Sequence, residues 1–158
     1  MYFIVLNKEH KFSSRARVHF NVFNTVIMVF IIYVIIDSTL LSRSSYIDKL
    51  ILTPFYSFAV AQIQPEMYRS LLMNIALFVP FGCSFSCVLS KKMSYCTRIM
   101  ITSLLGCVLS LLIEFLQYFF KLGEAWTDDV VCNALGAFIG SLSIVIWKIY
   151  YIGRNEFY

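Results

Sequence analysis

The sequence SLLIEFLQYFFKLGEAWTDDVVCNALGAFIG, from Ser110 to Gly140, contains the residues that decide the fold. It joins two apolar runs through a short polar break, and Glu114 lies inside the first run. An ionisable side chain is costly inside a bilayer, where it usually faces other protein or a water-filled cavity. The position of Glu114 therefore predicts a functional site. We interpret the rest of the chain as protein that shields this site from lipid.

The composition of the chain is that of an integral membrane protein. Its 158 residues are 59% hydrophobic and 14% charged, and its mean hydropathy is +0.76. Soluble domains are about 45–50% apolar and about 25% charged. The net charge of +4 is small and unevenly distributed, so it informs membrane topology and predicts no nucleic-acid partner.

Four apolar runs are long enough to cross a bilayer, which takes about 20 helical residues. They predict an all-α integral membrane protein, a single domain over residues 1–158, built as a bundle of four transmembrane helices. The predicted spans are residues 18–36, 71–89, 99–120 and 128–151. A further apolar run, residues 50–61, is interrupted by Pro54 and is too short to span. It predicts an interfacial or re-entrant segment in the first outer loop.

Lys and Arg residues predict the orientation of the spans. They are in excess in the N-terminal segment, in the loop between the second and third spans, and in the C-terminal tail. Cytoplasmic loops carry such an excess, and four spans place all three segments on one side. Both termini are therefore predicted to be cytoplasmic, and the loops around residues 37–70 and 121–129 are predicted to lie outside.

Small and polar residues recur along the third and fourth spans at steps of three and four, which places them on one face of each helix. The third span contributes Ser103, Gly106, Ser110, Glu114 and Gln117. The fourth span contributes Asp129, Asn133, Gly136 and Gly140. Because small residues let membrane helices approach closely, these two faces are predicted to meet.

The polar members of these faces lie near the outer ends of their spans, and Asn74 has a similar depth in the second span. They predict a polar pocket in the outer leaflet. The predicted binding residues are Asn74, Glu114, Gln117, Asp129 and Asn133.

Most of these residues also have a simpler interpretation. Asp128 and Asp129 could cap a helix, whose positive end favours acidic groups, and Asn74 and Asn133 could form hydrogen bonds between helices. Glu114 has no such account, because a carboxyl at its depth must be neutral, paired or hydrated. If the protein is an enzyme, its catalytic candidates are Glu114, Asp129 and Asp128.

Other features predict structure more than chemistry. Pro80 and Gly82 lie in the second span, and a proline there removes a backbone hydrogen bond that neighbouring helices must compensate. This span is therefore predicted to pack inside the bundle. The five cysteines form no disulfide framework, and no His or third Cys accompanies Cys83 and Cys87, so we predict no metal and no cofactor.

Four sequence blocks carry a resemblance to a known family. They are Thr53-Pro54-Phe55, Asn74-Ile-Ala-Leu-Phe-Val-Pro80-Phe-Gly82, Ser110-x-x-x-Glu114-x-x-Gln117 and Asp128-Asp129-x-x-x-Asn133-x-x-Gly136-x-x-x-Gly140. Occurring in this order, they resemble the VanZ-like family of small bacterial membrane proteins. The family pattern carries over onto Asn74, Pro80, Glu114, Gln117, Asp129 and Asn133.

One position departs from that pattern. Family members usually carry an Arg after the glycine that follows the third span, whereas this chain has Glu124 after Gly123. The departure removes an expected cation beside the carboxylates, and Lys121 or Arg69 could take its place.

The resemblance implies a bacterial plasma membrane, with membrane lipids as partners. The namesake of the family is associated with glycopeptide resistance, towards teicoplanin rather than vancomycin. This implies a non-enzymatic protein whose outer pocket binds a lipoglycopeptide or a polyprenyl-linked cell-wall precursor. Two alternatives stay open. One is an intramembrane enzyme that acts on a lipid head group with Glu114 as general base; the other is a small transporter or flippase subunit, which would have to be a homo-oligomer.

Overall fold

The computed structural model describes residues 14–42, 48–89 and 92–154. Lys91 and the basic residues before residue 14 lie outside the described residues. The described ranges contain five α-helices and two short β-strands. In chain order they are α1 (Ser14–Ile36), continued by a π-helical turn (Asp37–Leu41), β1 (Asp48–Ile51), α2 (Tyr56–Ala61), α3 (Glu66–Val88), α4 (Tyr95–Phe119), β2 (Gly123–Trp126) and α5 (Thr127–Arg154).

Four helices within the described residues are long and apolar enough to cross a membrane. The apolar stretches are Val18–Leu41, Glu66–Val88, Tyr95–Phe119 and Thr127–Tyr150. The predicted all-α membrane bundle of four transmembrane helices is confirmed. The π-helical turn extends the first span beyond its predicted end at residue 36, and the second span begins at residue 66 instead of residue 71.

Helix α3 is the central helix of the bundle. It contacts each of the other four described helices, as its internal proline led us to expect. The helix continues on both sides of Pro80, whose ring lies on an exposed face.

Helices α3 and α5 pack with glycines of each helix directly against the backbone of the other. A Cβ atom added at Gly140 would overlap the carbonyl oxygen of Val79, and one added at Gly82 would overlap that of Ala137. Gly136 is equally close to α3. The predicted packing role of these glycines is therefore present, but the prediction that their stripe faces the third span is wrong, because it faces the second. Helical periodicity identifies which residues share a face and does not identify the partner helix.

An adjacent face of α5 contacts α4. A Cβ atom added at Gly106 would lie 2.5 Å from the Cβ of Ala137, and Nδ2 of Asn133 donates a 2.8 Å hydrogen bond to Oγ of Ser110. The third and fourth spans thus meet as expected at these positions. Helix α5 thus packs Gly136 and Gly140 against α3, and the side chains of Ala137 and Asn133 against α4.

Helix α1 lies at the edge of the bundle. Only 6% of the most apolar stretch of this span is buried inside the protein, against 44% of the corresponding stretch of α5. One polar contact holds its middle, where Nδ2 of Asn24 donates to the backbone oxygen of Ser84 at 2.8 Å. Its inner face reaches the hydrophobic core, which consists of Ile35, Phe78, Phe81, Ile113 and Ala137.

The segment over residues 48–61 differs from the sequence prediction in its secondary structure. Strand β1 pairs in parallel with β2, with Asp48 opposite Gly123 and Ile51 opposite Trp126. The predicted interfacial run, residues 50–61, therefore holds the end of β1 and the six-residue helix α2. Neither element is long enough to span a bilayer. The placement of this run at the membrane interface stays a prediction.

Replacing Gly140 with alanine is expected to destabilise the bundle, although alanine is the better helix former by about 0.8–1.0 kcal/mol. The added methyl group would overlap the Val79 carbonyl and the Cys83 backbone nitrogen, and overpacking of this kind costs about 1–3 kcal/mol. The free energy of unfolding in mixed micelles, measured by denaturant titration, tests this. Ser143→Ala, at an exposed position of the same helix, is the control. A Gly140→Ala protein as stable as the control would contradict the close α3–α5 contact.

Candidate functional site

Buried polar side chains gather at one end of the bundle, where α1 and α4 finish and α3 and α5 begin. Glu114 and Asp129 are each 9% exposed, Asn133 is 3% exposed and Gln117 is 1% exposed. Asn74, in the second turn of α3, is half-buried. Because helices of alternating direction bring these ends together, all five predicted binding residues belong to the same end of the bundle.

The contacts between α4 and α5 set a regular antiparallel register. Gly106 lies against Ala137, and Ser110, one turn further along α4, bonds to Asn133, one turn earlier in α5. One more step of this register brings Glu114 level with Asp129, because residues four apart share a helical face. The two buried carboxyl groups therefore lie at the same depth on facing helices.

Glu114 is joined to the start of α5. The backbone N–H of Trp126 donates a 2.9 Å hydrogen bond to Oε2 of Glu114, and Trp126 is the residue directly before α5. Next to it, Oγ1 of Thr127 donates to the backbone oxygen of Ile51 in β1 at 3.2 Å. A carboxylate at this position also lies near the positive end of the α5 dipole. Glu114 thus ties the third span to the junction of β2 and α5.

Amide side chains of the site leave polar atoms without a partner. Nε2 of Gln117 donates to the backbone oxygen of Thr39 at 2.9 Å, while its Oε1 is buried with no hydrogen bond. Asn133 donates from Nδ2 to Ser110, and its Oδ1 has no hydrogen bond. Nδ2 of Asn74 is likewise buried and unbonded. Buried polar atoms are nearly always hydrogen-bonded in native proteins, and Oγ of Ser86 and Oγ of Ser141, away from this end, are unbonded as well. The three amide atoms are therefore candidates for contact with a ligand or with water.

Asp128 has a structural role that can be assigned from its contacts. It is 2% exposed, and it accepts hydrogen bonds from the N–H of Phe55 at 2.6 Å and from the N–H of Ser57 at 2.7 Å, one on each carboxylate oxygen. Phe55 has a left-handed backbone, with φ of 61°, and precedes α2. Asp128 therefore caps α2, instead of its own helix as the simpler interpretation proposed. The carboxyl groups that remain as candidates for chemistry are Glu114 and Asp129.

Glu124, the departure from the family pattern, has a cation opposite it. In the parallel ladder Lys49 is its register partner, and Nζ of Lys49 lies 3.6 Å from Oε1 of Glu124. The two side chains are 59% and 31% exposed, so the pair lies at the rim of the site and not among the buried carboxyl groups. Lys121 and Arg69, the cations considered from the sequence, are both exposed.

Sequence reasoning missed several groups that build this site. They are Thr39, Lys49, the backbone of Trp126, and Ser57, which is 1% exposed with its Oγ unbonded. The Thr53-Pro54-Phe55 block could have indicated the segment around Ser57. This block and Asp128 belong to the same family pattern, and Asp128 bonds to the backbone of Phe55 and Ser57. Within the described ranges, no group of three His, Cys, Asp or Glu side chains could hold a metal ion.

Together these features define a class of membrane protein: a four-span bundle with buried polar side chains at one end, covered by a short strand and helix. The chain belongs to the VanZ/LLP1 family, whose sequence profile matches residues 9–148. That range includes all four blocks from which the resemblance was drawn, so the predicted family is confirmed.

Part of the chain is also similar to a curated protein. Over 73 residues it is 30% identical to Protein VanZ of Enterococcus faecium. The matched region covers 46% of this chain and 42% of that protein. The match thus spans less than half of the relative. No solved structure gives a significant match.

Replacing Asp128 with asparagine is expected to release α2 without unfolding the bundle. Asparagine can accept through only one of its two polar side-chain atoms, so one of the N–H groups of Phe55 and Ser57 loses its acceptor. Hydrogen exchange measured by mass spectrometry should show faster exchange over residues 55–61 and little change in α3. Glu66→Gln, an exposed carboxyl at the same end, is the control for loss of charge. Unchanged protection of residues 55–61 would contradict the capping role.

The Lys49–Glu124 pair is expected to contribute a small, salt-sensitive coupling. Glu124→Arg restores the residue typical of the family but places two cations opposite each other across the ladder, and adding Lys49→Glu should recover most of the loss. For exposed pairs the coupling is about 0.2–1 kcal/mol. A double-mutant cycle of unfolding free energies at low and high salt measures it. If the two substitutions are simply additive at both salt concentrations, the pair makes no contribution.

Proposed function

We propose that this protein binds the polar head of an amphiphile at the outer face of a bacterial plasma membrane and thereby alters susceptibility to glycopeptide antibiotics. The amphiphile is a lipoglycopeptide or a polyprenyl-linked cell-wall precursor. In this proposal the two termini are cytoplasmic, so the end of the bundle that contains Glu114 faces outward.

A single observation supports binding above the other possibilities. Gln117, Asn133 and Asn74 each leave a buried polar atom without a hydrogen bond at the same end of the bundle. Leaving a buried donor or acceptor unsatisfied costs about 1–3 kcal/mol, and a ligand or an ordered water can satisfy these three atoms. A ligand that bonds to these atoms recovers that free energy on binding.

The surroundings of the site suit a ligand that lies partly in lipid. The segment over the site exposes large apolar side chains, including Leu52 at 68%, Phe55 at 66% and Ile63 at 84%. Tyr56 and Trp126 stack beside them with ring centroids 6.0 Å apart, and such rings favour the membrane interface. An amphiphile could therefore keep its tail in the bilayer while its head reaches the polar groups.

The orientation in this proposal comes from charge. The loop next to α4 and the two ends of the chain carry the excess of Lys and Arg, and such segments remain in the cytoplasm. Lipid-linked cell-wall precursors and the glycopeptides that bind them are both found at the opposite face. The link to teicoplanin rests on the VanZ-like resemblance.

Expression of this chain in a susceptible bacterium is expected to raise the minimum inhibitory concentration of teicoplanin more than that of vancomycin. Glu114→Gln and Asp129→Asn should reduce the protection towards the level of the empty vector, because each removes a buried carboxylate from the site. Glu66→Gln, which removes an exposed carboxylate at the same end, is the matched control. Immunoblots of membrane fractions ensure equal amounts. If the unaltered chain gives no protection, the resistance role fails.

A second candidate function is an enzyme that acts on a lipid head group. The observation that favours it is the facing position of Glu114 and Asp129, since two carboxyl groups in different environments can divide the acid and base roles. Incubation of the purified protein with labelled polyprenyl phosphates distinguishes the two functions. Turnover that is lost in Glu114→Gln would support the enzyme, whereas binding without turnover supports the first proposal.

A further inference from the structure

The two ends of the bundle differ in charge. Residues 1–17, 91–98 and 148–158 adjoin the end where α1 and α4 begin, and they include nine of the 13 Lys and Arg residues and two of the nine Asp and Glu residues. Residues 37–69 and 114–129 adjoin the end that contains Glu114, and they include the other four cations and seven acids. The formal charges of +7 and −3 together give the +4 of the chain. The end where α1 and α4 begin is thus the basic end of the bundle.

The two tryptophans indicate where the surfaces of the bilayer cross α5. Trp126 directly precedes this helix, and Trp147 lies near its other end. At 1.5 Å per residue they are separated by roughly 30 Å along the axis, which is the thickness of the hydrocarbon core. Trp147 is 60% exposed, and tryptophan rings favour the membrane interfaces. Lys148, the next residue, therefore lies at the level of the lipid head groups.

Lys148 continues the face of α5 that packs on α4. Ala137 packs against Gly106, and Ser141 and Val145 follow at steps of four residues and are both buried. Lys148 comes three residues later on the same face and is half-buried. A lysine in such a position buries its aliphatic stem and extends its ammonium group to the interface. Its charge therefore lies between the ends of α4 and α5.

A second cation, Arg98, is buried close to Lys148. It is 2% exposed, and its Nη1 donates to the backbone oxygen of Ser86 at 3.4 Å, in the last turn of α3, whose negative end favours a cation. A hydrogen bond to a carbonyl leaves the charge of the guanidinium in place. Arg98 and Lys148 are both close enough to Cys87 for their charges to act on its thiol. The two cations therefore contribute to one region of positive potential.

The acidic residues that the structure describes all adjoin the other end of the bundle. Hydrogen bonds that basic-end side chains make within the described ranges are therefore made to groups other than carboxylates, and the positive charge is retained. Lys92, which is exposed and lies three residues before α4, adds to it. These seven acidic residues are Asp37, Asp48, Glu66, Glu114, Glu124, Asp128 and Asp129.

We propose that the basic end binds the head groups of anionic phospholipids in the adjoining leaflet, with Lys148 and Lys92 in contact with the phosphate. Arg98 strengthens the attraction as a buried charge. Basic clusters beside a membrane span attract anionic lipids in this way. Lipid is favoured over an acidic protein as the occupant, because Trp147 places Lys148 at the head groups. The inference does not depend on the proposed function, which concerns the other end of the bundle.

The test uses the full chain in nanodiscs made of equal amounts of phosphatidylcholine and phosphatidylglycerol, with the tryptophans as reporters. Trp126→Phe leaves Trp147 at the basic end, and Trp147→Phe leaves Trp126 at the other end. Bromine atoms on acyl chains quench the fluorescence of a tryptophan that they contact. Each protein is measured with only the phosphatidylglycerol brominated and then with only the phosphatidylcholine brominated. The two values give the relative association constant of the two lipids beside each ring.

Phosphatidylglycerol is expected to associate beside Trp147 about fivefold more strongly than phosphatidylcholine, which is the effect of a lysine near an anionic surface. Trp126 is expected to show no preference, and added salt should weaken the preference at Trp147 because it screens exposed charges. Equal quenching of Trp147 by the two lipids, as expected if an acidic protein occupies the basic end, overturns the inference. So does an equal preference at both tryptophans, because it would not come from the basic end.

Substitutions test the assignment of the two lysines. Lys148→Gln is expected to reduce the preference at Trp147 by about half, and the double variant with Lys92→Gln should abolish it, because the attraction is lost with each charge. Lys148→Arg keeps the charge and should keep the preference. The matched control is Arg69→Gln with Lys121→Gln, which removes two exposed cations from the other end and should leave Trp147 unaffected. A preference that persists in the double lysine variant, or that falls equally in the control or in Lys148→Arg, contradicts the assignment.

Discussion

Direct backbone contact between α3 and α5 is the constraint on which the rest of the structure depends. Gly136 and Gly140 leave no room for a side chain against α3, so the rotation of α5 about its own axis is fixed. That rotation turns Ala137 and Asn133 towards α4 and carries Asp129 to the level of Glu114. Asp128, one residue earlier, points instead to the segment before α2. Packing in the apolar part of the bundle thereby determines which polar groups meet at its end.

At that end, side-chain oxygens and amides bond mainly to backbone groups of other segments. Glu114 accepts from Trp126, Asp128 accepts from Phe55 and Ser57, and Gln117 donates to Thr39. Each contact satisfies a backbone group that a helix end or a loop would otherwise leave exposed to an apolar medium. The same contacts use some polar atoms of the site and leave others without a hydrogen bond.

Hydropathy and length were enough to predict the four spans, because a bilayer imposes a minimum length of apolar helix. The family and the polar residues were also predictable from four short blocks. The partner of the glycine stripe was not, since periodicity describes one helix and the choice between α3 and α4 depends on all four. The β1–β2 ladder was missed because each strand has only four residues and pairs with a segment far away in the chain. For the same reason the sequence did not predict that Lys49 lies opposite Glu124.

The hydrogen bonds of Asp128 have a consequence for the order in which the chain assembles. The segment with β1 and α2 emerges from the ribosome early, yet its capping carboxylate and its partner strand are supplied by residues 123–128, after the third span. A nascent chain that has inserted two spans therefore lacks the partners that hold this segment in place. The segment that covers the site is therefore held in place only after residues 123–128 have been made.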